Sequence, residues 1–400
     1  MKTVFYLLFA LLALPALQGC PGSGSDYFEL VLTTGVAADD LDQDGAIDIV
    51  LATSDDDRSA HQHQGVVFRN RGSMRNNFSL AQRLYLRGGR YDRPGTIVIG
   101  DLNDDGFSDL AIDNGETVYM SFQSAAKPGS FLAPQPPGPG RYREVFAIAD
   151  LNNDGINDLA VSTGARHLAI QFQDSMNPGT FFPPVDLGID AIAAAVGDLD
   201  GDMINDIALI DYNSDSIKIL LQDAGNAGSF TQALEFGDGT HLKDIRVADL
   251  DRDGRQDLAA VYSGNVNLNI RGGVSIRLQD PVIPGQFPVA VEYVSDANGA
   301  GFAIGDLNDD GLADIAVSAE PFAQSPRLRL MFQDAAAPGN FLSPVTITKD
   351  VSYPRSIAIA DMDGDMLNDL VISDTLLQIR YQRGGAPGEF TAGVKVFDPN

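Results

Sequence analysis

The sequence has no tryptophan, one cysteine and four histidines in 400 residues. A single cysteine excludes an intrachain disulfide, so this is not a disulfide scaffold. Basic residues are also scarce: 27 Lys plus Arg stand against 55 Asp plus Glu, a formal charge of -28. So acidic a chain repels nucleic-acid phosphates, and no nucleic-acid partner is expected. No amphipathic helical period of useful length occurs, and beyond the first residues no segment is apolar enough to span a membrane. What remains is 44% hydrophobic residues, enough for an extensive core.

Residues 1–19 read as a signal peptide, with Lys2 at its positive end and an apolar core over 4–14. Leu17-Gln18-Gly19-Cys20 resembles the lipobox of bacterial lipoproteins. That resemblance implies that Cys20 is lipidated and that residues 20–26 are the acylated N-terminus and a short linker. The expected location is the bacterial cell envelope, lipid-anchored and extracytoplasmic, at the outer membrane, its periplasmic face or the cell surface. Residues 27–400 form the folded domain.

That domain is built of repeats. One acidic phrase begins at Asp40, Asp101, Asp150, Asp198, Asp249, Asp306 and Asp361, on average about 54 residues apart. Short extended runs flank each copy. A second element recurs with it, a Gln followed eight residues later by Phe: Gln123/Phe131, Gln173/Phe181, Gln222/Phe230, Gln279/Phe287, Gln333/Phe341 and Gln382/Phe390, with Asn70/Phe78 in the first copy. Pro-Gly steps such as Pro128-Gly129 and Pro178-Gly179 lie between them and mark chain reversals. Each unit reads as four strands, one propeller blade, and a lone blade cannot bury both its faces. The expected fold is therefore all-β, a seven-bladed propeller with acidic loops between the first and second strands of each blade. Segments 27–32 and 390–397 both have the pattern of an outer strand that closes the ring.

The acidic phrase is Asp-x-Asp/Asn-x-Asp-Gly-x-x-Asp. Side-chain oxygens at positions 1, 3, 5 and 9, in a loop tightened by glycine at 6, suit a hard cation, and calcium accepts six to eight oxygen ligands. Flanking helices and a Glu at position 12 are missing, so this is no EF-hand. Position 2 is always Leu or Met and position 10 always Ile or Leu. The chain thus resembles the FG-GAP or VCBS calcium-binding propeller repeats, similar to the head of integrin α subunits. The resemblance implies up to seven calcium ions, with side-chain ligands at positions 1, 3, 5 and 9 and a backbone carbonyl at position 7.

Carried over by position, the metal ligands are Asp40, Asp42, Asp44 and Asp48 in the first loop and Asp101, Asn103, Asp105 and Asp109 in the second. Asp150, Asn152, Asp154 and Asp158 serve the third loop, and Asp198, Asp200, Asp202 and Asp206 the fourth. The fifth has Asp249, Asp251, Asp253 and Asp257, the sixth Asp306, Asn308, Asp310 and Asp314, and the seventh Asp361, Asp363, Asp365 and Asp369. These positions hold 25 of the 55 acidic residues, and seven calcium ions would bring the charge from -28 to -14. In loops four and seven, Met203 and Met366 replace glycine at position 6, while Gly201 and Gly364 stand at position 4. A non-glycine residue at positive φ costs on the order of 1 kcal/mol, so these two sites are expected to be weaker or differently shaped.

No catalytic residues emerge. His61-Gln62-His63 has no Cys or third His beside it and reads as a solvated loop. Arg69, Arg71, Arg75, Arg83, Arg87, Arg90 and Arg93 concentrate after the first acidic loop, near Tyr85 and Tyr91. They pair with neighbouring carboxylates or receive an anionic glycan or acidic partner. Second-to-third-strand loops are long at 54–65, 262–273 and 319–327 and place a recognition face opposite the acidic loops. The expectation is a calcium-binding, membrane-anchored binding or adhesion module for a glycan or protein ligand. The alternatives are a lyase-like, polysaccharide-active enzyme and a structural envelope component.

Overall fold

The computed structural model describes residues 32–54, 63–72, 75, 77–87, 95–138, 140–237, 241–264, 271–319, 327–349, 351, 354–373 and 377–396. The leader, Cys20, His61, Arg90, Tyr91 and Arg93 lie outside these residues, as do parts of all three long loops. Among the described residues every regular element is a strand.

Seven successive stretches form seven blades. Blade 1 comprises Leu32–Asp39, Asp48–Ser54, His63–Asn70 and Phe78–Leu86, each antiparallel to the next. Blade 2 has Ile97–Gly100, Asp109–Asp113 and Val118–Ser121. Its expected fourth strand is replaced by two isolated bridges, Gln123 to Phe131 and Met120 to Gln135. The cause is local: residues 131–140 contain four prolines, which cannot donate to a ladder. Blade 3 uses Tyr142–Ala149, Asp158–Thr163 and His167–Gln171, and blade 4 uses Asp206–Asp211, Ser216–Gln222 and Phe230–Phe236. One long strand, Val185–Gly197, is shared: its first half is the outer edge of blade 3 and its second half the inner strand of blade 4.

Blade 5 is Leu242–Ala248, Asp257–Tyr262, Gly273–Arg277 and Ala290–Val294; blade 6 is Ala297–Gly305, Asp314–Ala319, Arg327–Met331 and Val345–Ile347. Blade 7 is Ser356–Ala360, Asp369–Ser373, Leu377–Arg380 and Val394–Lys395, with a small hairpin of Gln382–Arg383 and Ala386–Phe390. The segment 390–397 therefore supplies the outer strand of blade 7 through Val394–Lys395. Its rival at 27–32 lies almost wholly outside the described residues.

Seven apolar clusters fill the seams between blades, one per seam, and this closes the ring. Ile49 and Leu51 face blade 7 with Val371 and Ile379, whereas Val50 and Ala52 face blade 2 with Leu110 and Ile112. Strands whose two faces both pack on neighbours read as continuous apolar runs, and the second strands are almost wholly buried, as in Asp109–Asp113 and Asp257–Tyr262. The position-2 residue of each acidic loop enters the seam to the following blade: Leu41, Leu102, Leu151, Leu199, Leu250, Leu307 and Met362 are each at most 1% exposed. The inner strands of all seven blades surround an axial cavity of about 640 Å³.

Leu199 anchors its loop in the seam of blades 4 and 5, so Leu199→Ala should destabilise the protein by about 2–5 kcal/mol. Met203, four residues on and 88% exposed, is the control. Urea unfolding should show a lowered midpoint for Leu199→Ala and an unchanged one for Met203→Ala.

Candidate metal centres

Each acidic loop folds around its first aspartate. In loop three, Asp150 accepts the N–H of Asp154 at 3.2 Å on one oxygen and that of Gly155 at 2.9 Å on the other. The position-5 carboxylate accepts the N–H of position 7, as Asp154 does from Ile156 at 3.2 Å. Such a tight winding needs left-handed backbone at two places, positions 4 and 6. In five loops position 6 is glycine, and Gln43, Asp104, Asn153, Arg252 and Asp309 take φ between 56° and 62° at position 4.

Loops four and seven exchange the two: Gly201 and Gly364 hold position 4, while Met203 and Met366 take φ of 69° and 70° at position 6. Their N–H groups still reach Asp198 and Asp361, at 2.9 and 2.8 Å. The expectation of a different shape is not met, because every loop carries one glycine and one non-glycine residue at positive φ.

The ninth position is the tie between loop and blade. Asp158 accepts the N–H of Leu151 at 2.9 Å on one oxygen and that of Gln173 at 2.8 Å on the other. The same pair of bonds recurs at Asp109, Asp206, Asp257, Asp314 and Asp369. In blade 1, Asn70 donates to Asp48 at 2.7 Å. The recurring Gln thus has a role that sequence spacing did not reveal. Gln173 Nε2 donates to the position-8 carbonyl of Asn157 at 2.7 Å, and its Oε1 accepts the N–H of Gly179 at 2.6 Å. Loop, third strand and Pro-Gly turn are clipped by one side chain.

Neighbouring loops are tied as well. Asn157, Asn205 and Asn368, all at position 8, donate to the position-1 carbonyl of the preceding blade's loop at 2.9 Å, to Asp101, Asp150 and Asp306 respectively. The turn glycine of one blade sits on position 3 of the previous loop: a Cβ on Gly129 would lie 2.8 Å from Asp42, and one on Gly285 3.1 Å from Asp200.

The carboxylates converge. Asp40, Asp42 and Asp44 each bring an oxygen within 4.8 Å of the others, as do Asp198, Asp200 and Asp206, Asp249, Asp251 and Asp257, and Asp361, Asp363 and Asp365. The remaining three loops are those with asparagine at position 3. There an amide replaces one charge, and Asn103 and Asn308 donate to Asp105 and Asp310 at 3.2 and 3.1 Å.

Three carboxylate oxygens, Asp42 Oδ1, Asp249 Oδ1 and Asp363 Oδ1, are buried without a hydrogen-bond partner. Buried polar groups are normally satisfied, and a carboxylate oxygen left over among other carboxylates can be completed by a proton or a cation. The residues present therefore fit calcium. Burial pushes the position-9 carboxyls of Asp48, Asp109, Asp158, Asp257, Asp314 and Asp369 up to about 7 and that of Asp206 to about 6, against the opposing pull of their backbone N–H donors. Burial also raises Asp42, Asp200, Asp251 and Asp365, and neighbouring loop carboxylates add to it.

The arginine cluster divides. Arg69 pairs with Asp42 at 2.8 Å, Arg75 with Asp363 at 2.5 Å, and Arg71 bonds Ser79 at 2.9 Å. Arg83 and Arg87 instead line a groove of about 1040 Å³ between the outer edges of blades 1 and 2, with Tyr85, Tyr119, Pro134 and Pro136. His167 lies between Asp186 and Asp190, at 3.0 and 3.4 Å on opposite ring nitrogens. His241 sits elsewhere, its backbone N–H bonded to Asp215 at 2.6 Å.

The FG-GAP-like repeat matches residues 40–112, 101–161, 198–260 and 306–372, which together include all seven acidic loops. Among solved structures, Sqt1 from Chaetomium thermophilum is similar over 92% of this chain and 88% of its own, at 13% identity and a TM-score of 0.51. The WD40 domain of Toxoplasma gondii coronin aligns over 81% of this chain and 76% of its own, at 12% identity and a TM-score of 0.48. At 13% identity the likeness to Sqt1 is one of fold. No curated protein matches the sequence.

The raised carboxyls fix a sign for the pH dependence. Without a cation the folded chain holds protons up to about pH 7, whereas the unfolded chain releases them near 3.9. Folding then takes up protons, and stability falls as pH rises from about 4 to about 7. A divalent cation held by these carboxylates would stabilise the ionised form and oppose this loss. Calorimetry should give a higher melting temperature at pH 5 than at pH 8 in chelator, and a calcium-induced rise far larger at pH 8.

Proposed function

This chain belongs to the FG-GAP-like repeat family, and on that premise we propose that it is a calcium-stabilised recognition module of the bacterial envelope. The observation that carries the reading is the convergence of three carboxylates in each of four loops, three of which leave a buried oxygen unpartnered. Calcium in each loop would neutralise charge that otherwise opposes folding. A site with free calcium at 100 times its dissociation constant contributes about 2.7 kcal/mol to stability. The ion's part is structural: it holds the loops whose position-2 residues anchor the seams.

A rigid ring of this kind presents its variable surfaces for binding. The groove between blades 1 and 2 supports a ligand site. Tyr85 is 57% exposed there and offers a ring face, with Arg83 and Arg87 beside it in an otherwise acidic protein. That combination suits an anionic glycan or an acidic protein segment. Attachment to the membrane would be through lipid on Cys20, the residue that ends the lipobox-like run.

The protein should be screened against a glycan array with calcium and with chelator, as wild type and as Tyr85→Ala, with folding checked by circular dichroism. Binding to an anionic sugar class that Tyr85→Ala reduces about tenfold supports the groove. Binding indifferent to Tyr85 moves the site elsewhere. Chemical cleavage of a bound polysaccharide would assign a lyase instead, and a stoichiometric protein partner without glycan binding would assign an assembly role. Separately, Cys20→Ser should move the protein from the membrane to the soluble fraction of a bacterial host; retention in the membrane would remove the lipid anchor from this reading.

A further inference from the structure

One seam of the ring differs from the others. Six seams join blades that follow one another along the chain, while blades 7 and 1 are the last and the first and meet with no chain segment linking them among the described residues. At five seams a turn glycine covers the position-3 residue of the previous loop, and beneath several of these glycines lies the residue that precedes the recurring Gln, such as Phe122 under Gly179 and Leu278 under Gly339. Blade 1 has no Pro-Gly step in its own turn, between Asn70 and Phe78. In that place stands Arg75.

Its guanidinium lies over the ring of Tyr381, the residue before Gln382, with 4.8 Å between Cζ and the ring centroid. Its Nε donates to Asp363 Oδ2 at 2.5 Å, and a terminal nitrogen lies 3.7 Å from Asp365 Oδ2. Asp363 and Asp365 are positions 3 and 5 of the seventh loop. Arg69 and Arg255 each touch a loop carboxylate of their own blade, Asp42 and Asp253, whereas Arg75 reaches across the ring's closing seam and faces two. Among the described residues the seam's other ties include an apolar cluster, the N–H of Val36 to Ser356 Oγ at 3.2 Å and Asn70 Nδ2 to the Met362 carbonyl at 3.0 Å.

We propose that Arg75 is a cation built into the seventh loop: it latches blade 1 to blade 7 when calcium is absent, and calcium enters this loop only against it. The inference rests on the reading that the loops bind calcium. Two cations compete for one set of carboxylates, and a guanidinium a few ångströms from a divalent ion raises the ion's energy there. Loop seven is thereby the weakest of the calcium sites, for this reason and not because Met366 replaces glycine. The seam between the first and last blades thus has a charged tie when calcium is absent and gives it up as loop seven fills.

Calcium bound per chain is measured by equilibrium dialysis across a range of free calcium, on the purified full chain as wild type, Arg75→Gln and Arg71→Gln. Melting temperatures are taken in chelator and in saturating calcium. The weakest site of the wild type should tighten by roughly tenfold in Arg75→Gln, as removal of a nearby positive charge requires, and stay unchanged in Arg71→Gln. Arg75→Gln should melt lower than wild type in chelator and level with it in calcium. An unaltered or loosened weakest site overturns the proposal, as does an equal loss of melting temperature in both buffers, which would make Arg75 an ordinary packing residue. A wild-type chain that binds no calcium at any loop instead overturns the calcium reading on which the proposal rests.

Discussion

A buried carboxylate with a backbone N–H on each oxygen recurs at the ninth position of the acidic loops, and the arrangement of this protein depends on it. Asp158 gathers the loop that precedes the second strand and the residue just past the end of the third, and its equivalents do the same in blade 2 and blades 4 to 7. Removing such an acceptor would strand two buried donors, each worth about 1–3 kcal/mol of desolvation. The aspartate therefore sits between the core below and the open loop above. It also concentrates charge, because up to three further acids stand within the same loop.

That charge is the cost of the design, and the fold meets it with donors first. Position-1 carboxylates take the loop's own N–H groups, asparagine replaces aspartate at three of the seven third positions, and Arg69, Arg75 and Arg255 each reach a loop acid. What is left over is a set of carboxylate oxygens with nothing to accept, in loops one, five and seven. A hard divalent cation completes such an arrangement without adding bulk, which is why oxygen-rich loops and calcium go together.

Packing and electrostatics are linked through position 2. The same short loop that collects the acids also drives a Leu or Met into the seam with the following blade. The loop's conformation and the contact between blades are thus one structural unit, repeated around the ring. Surface variation is free to accumulate elsewhere, as in blade 2, where a proline-rich segment displaces the outer strand and leaves a groove beside Tyr85.

The number of blades, the strand beside each acidic loop and the convergence of acids in four of the loops were legible in the sequence, because repetition in register and a period of alternating strands and turns are local properties of the chain. Position 2 and position 10 announced themselves as apolar anchors for the same reason. The clip made by Gln123, Gln173, Gln222 and Gln333 was visible only as a spacing, since its bonds join residues brought together by the third strand's return. The sharing of left-handed backbone between positions 4 and 6, which keeps Met203 and Met366 in the common loop shape, depended on the hydrogen bonds of the whole loop. Arg75 lies 288 residues from Asp363 in the chain, and only closure of the ring sets one against the other. Local pattern determined the blade; the contacts that seal one blade to the next, and the first to the last, were decided by the tertiary structure, because they join residues that sequence distance keeps apart.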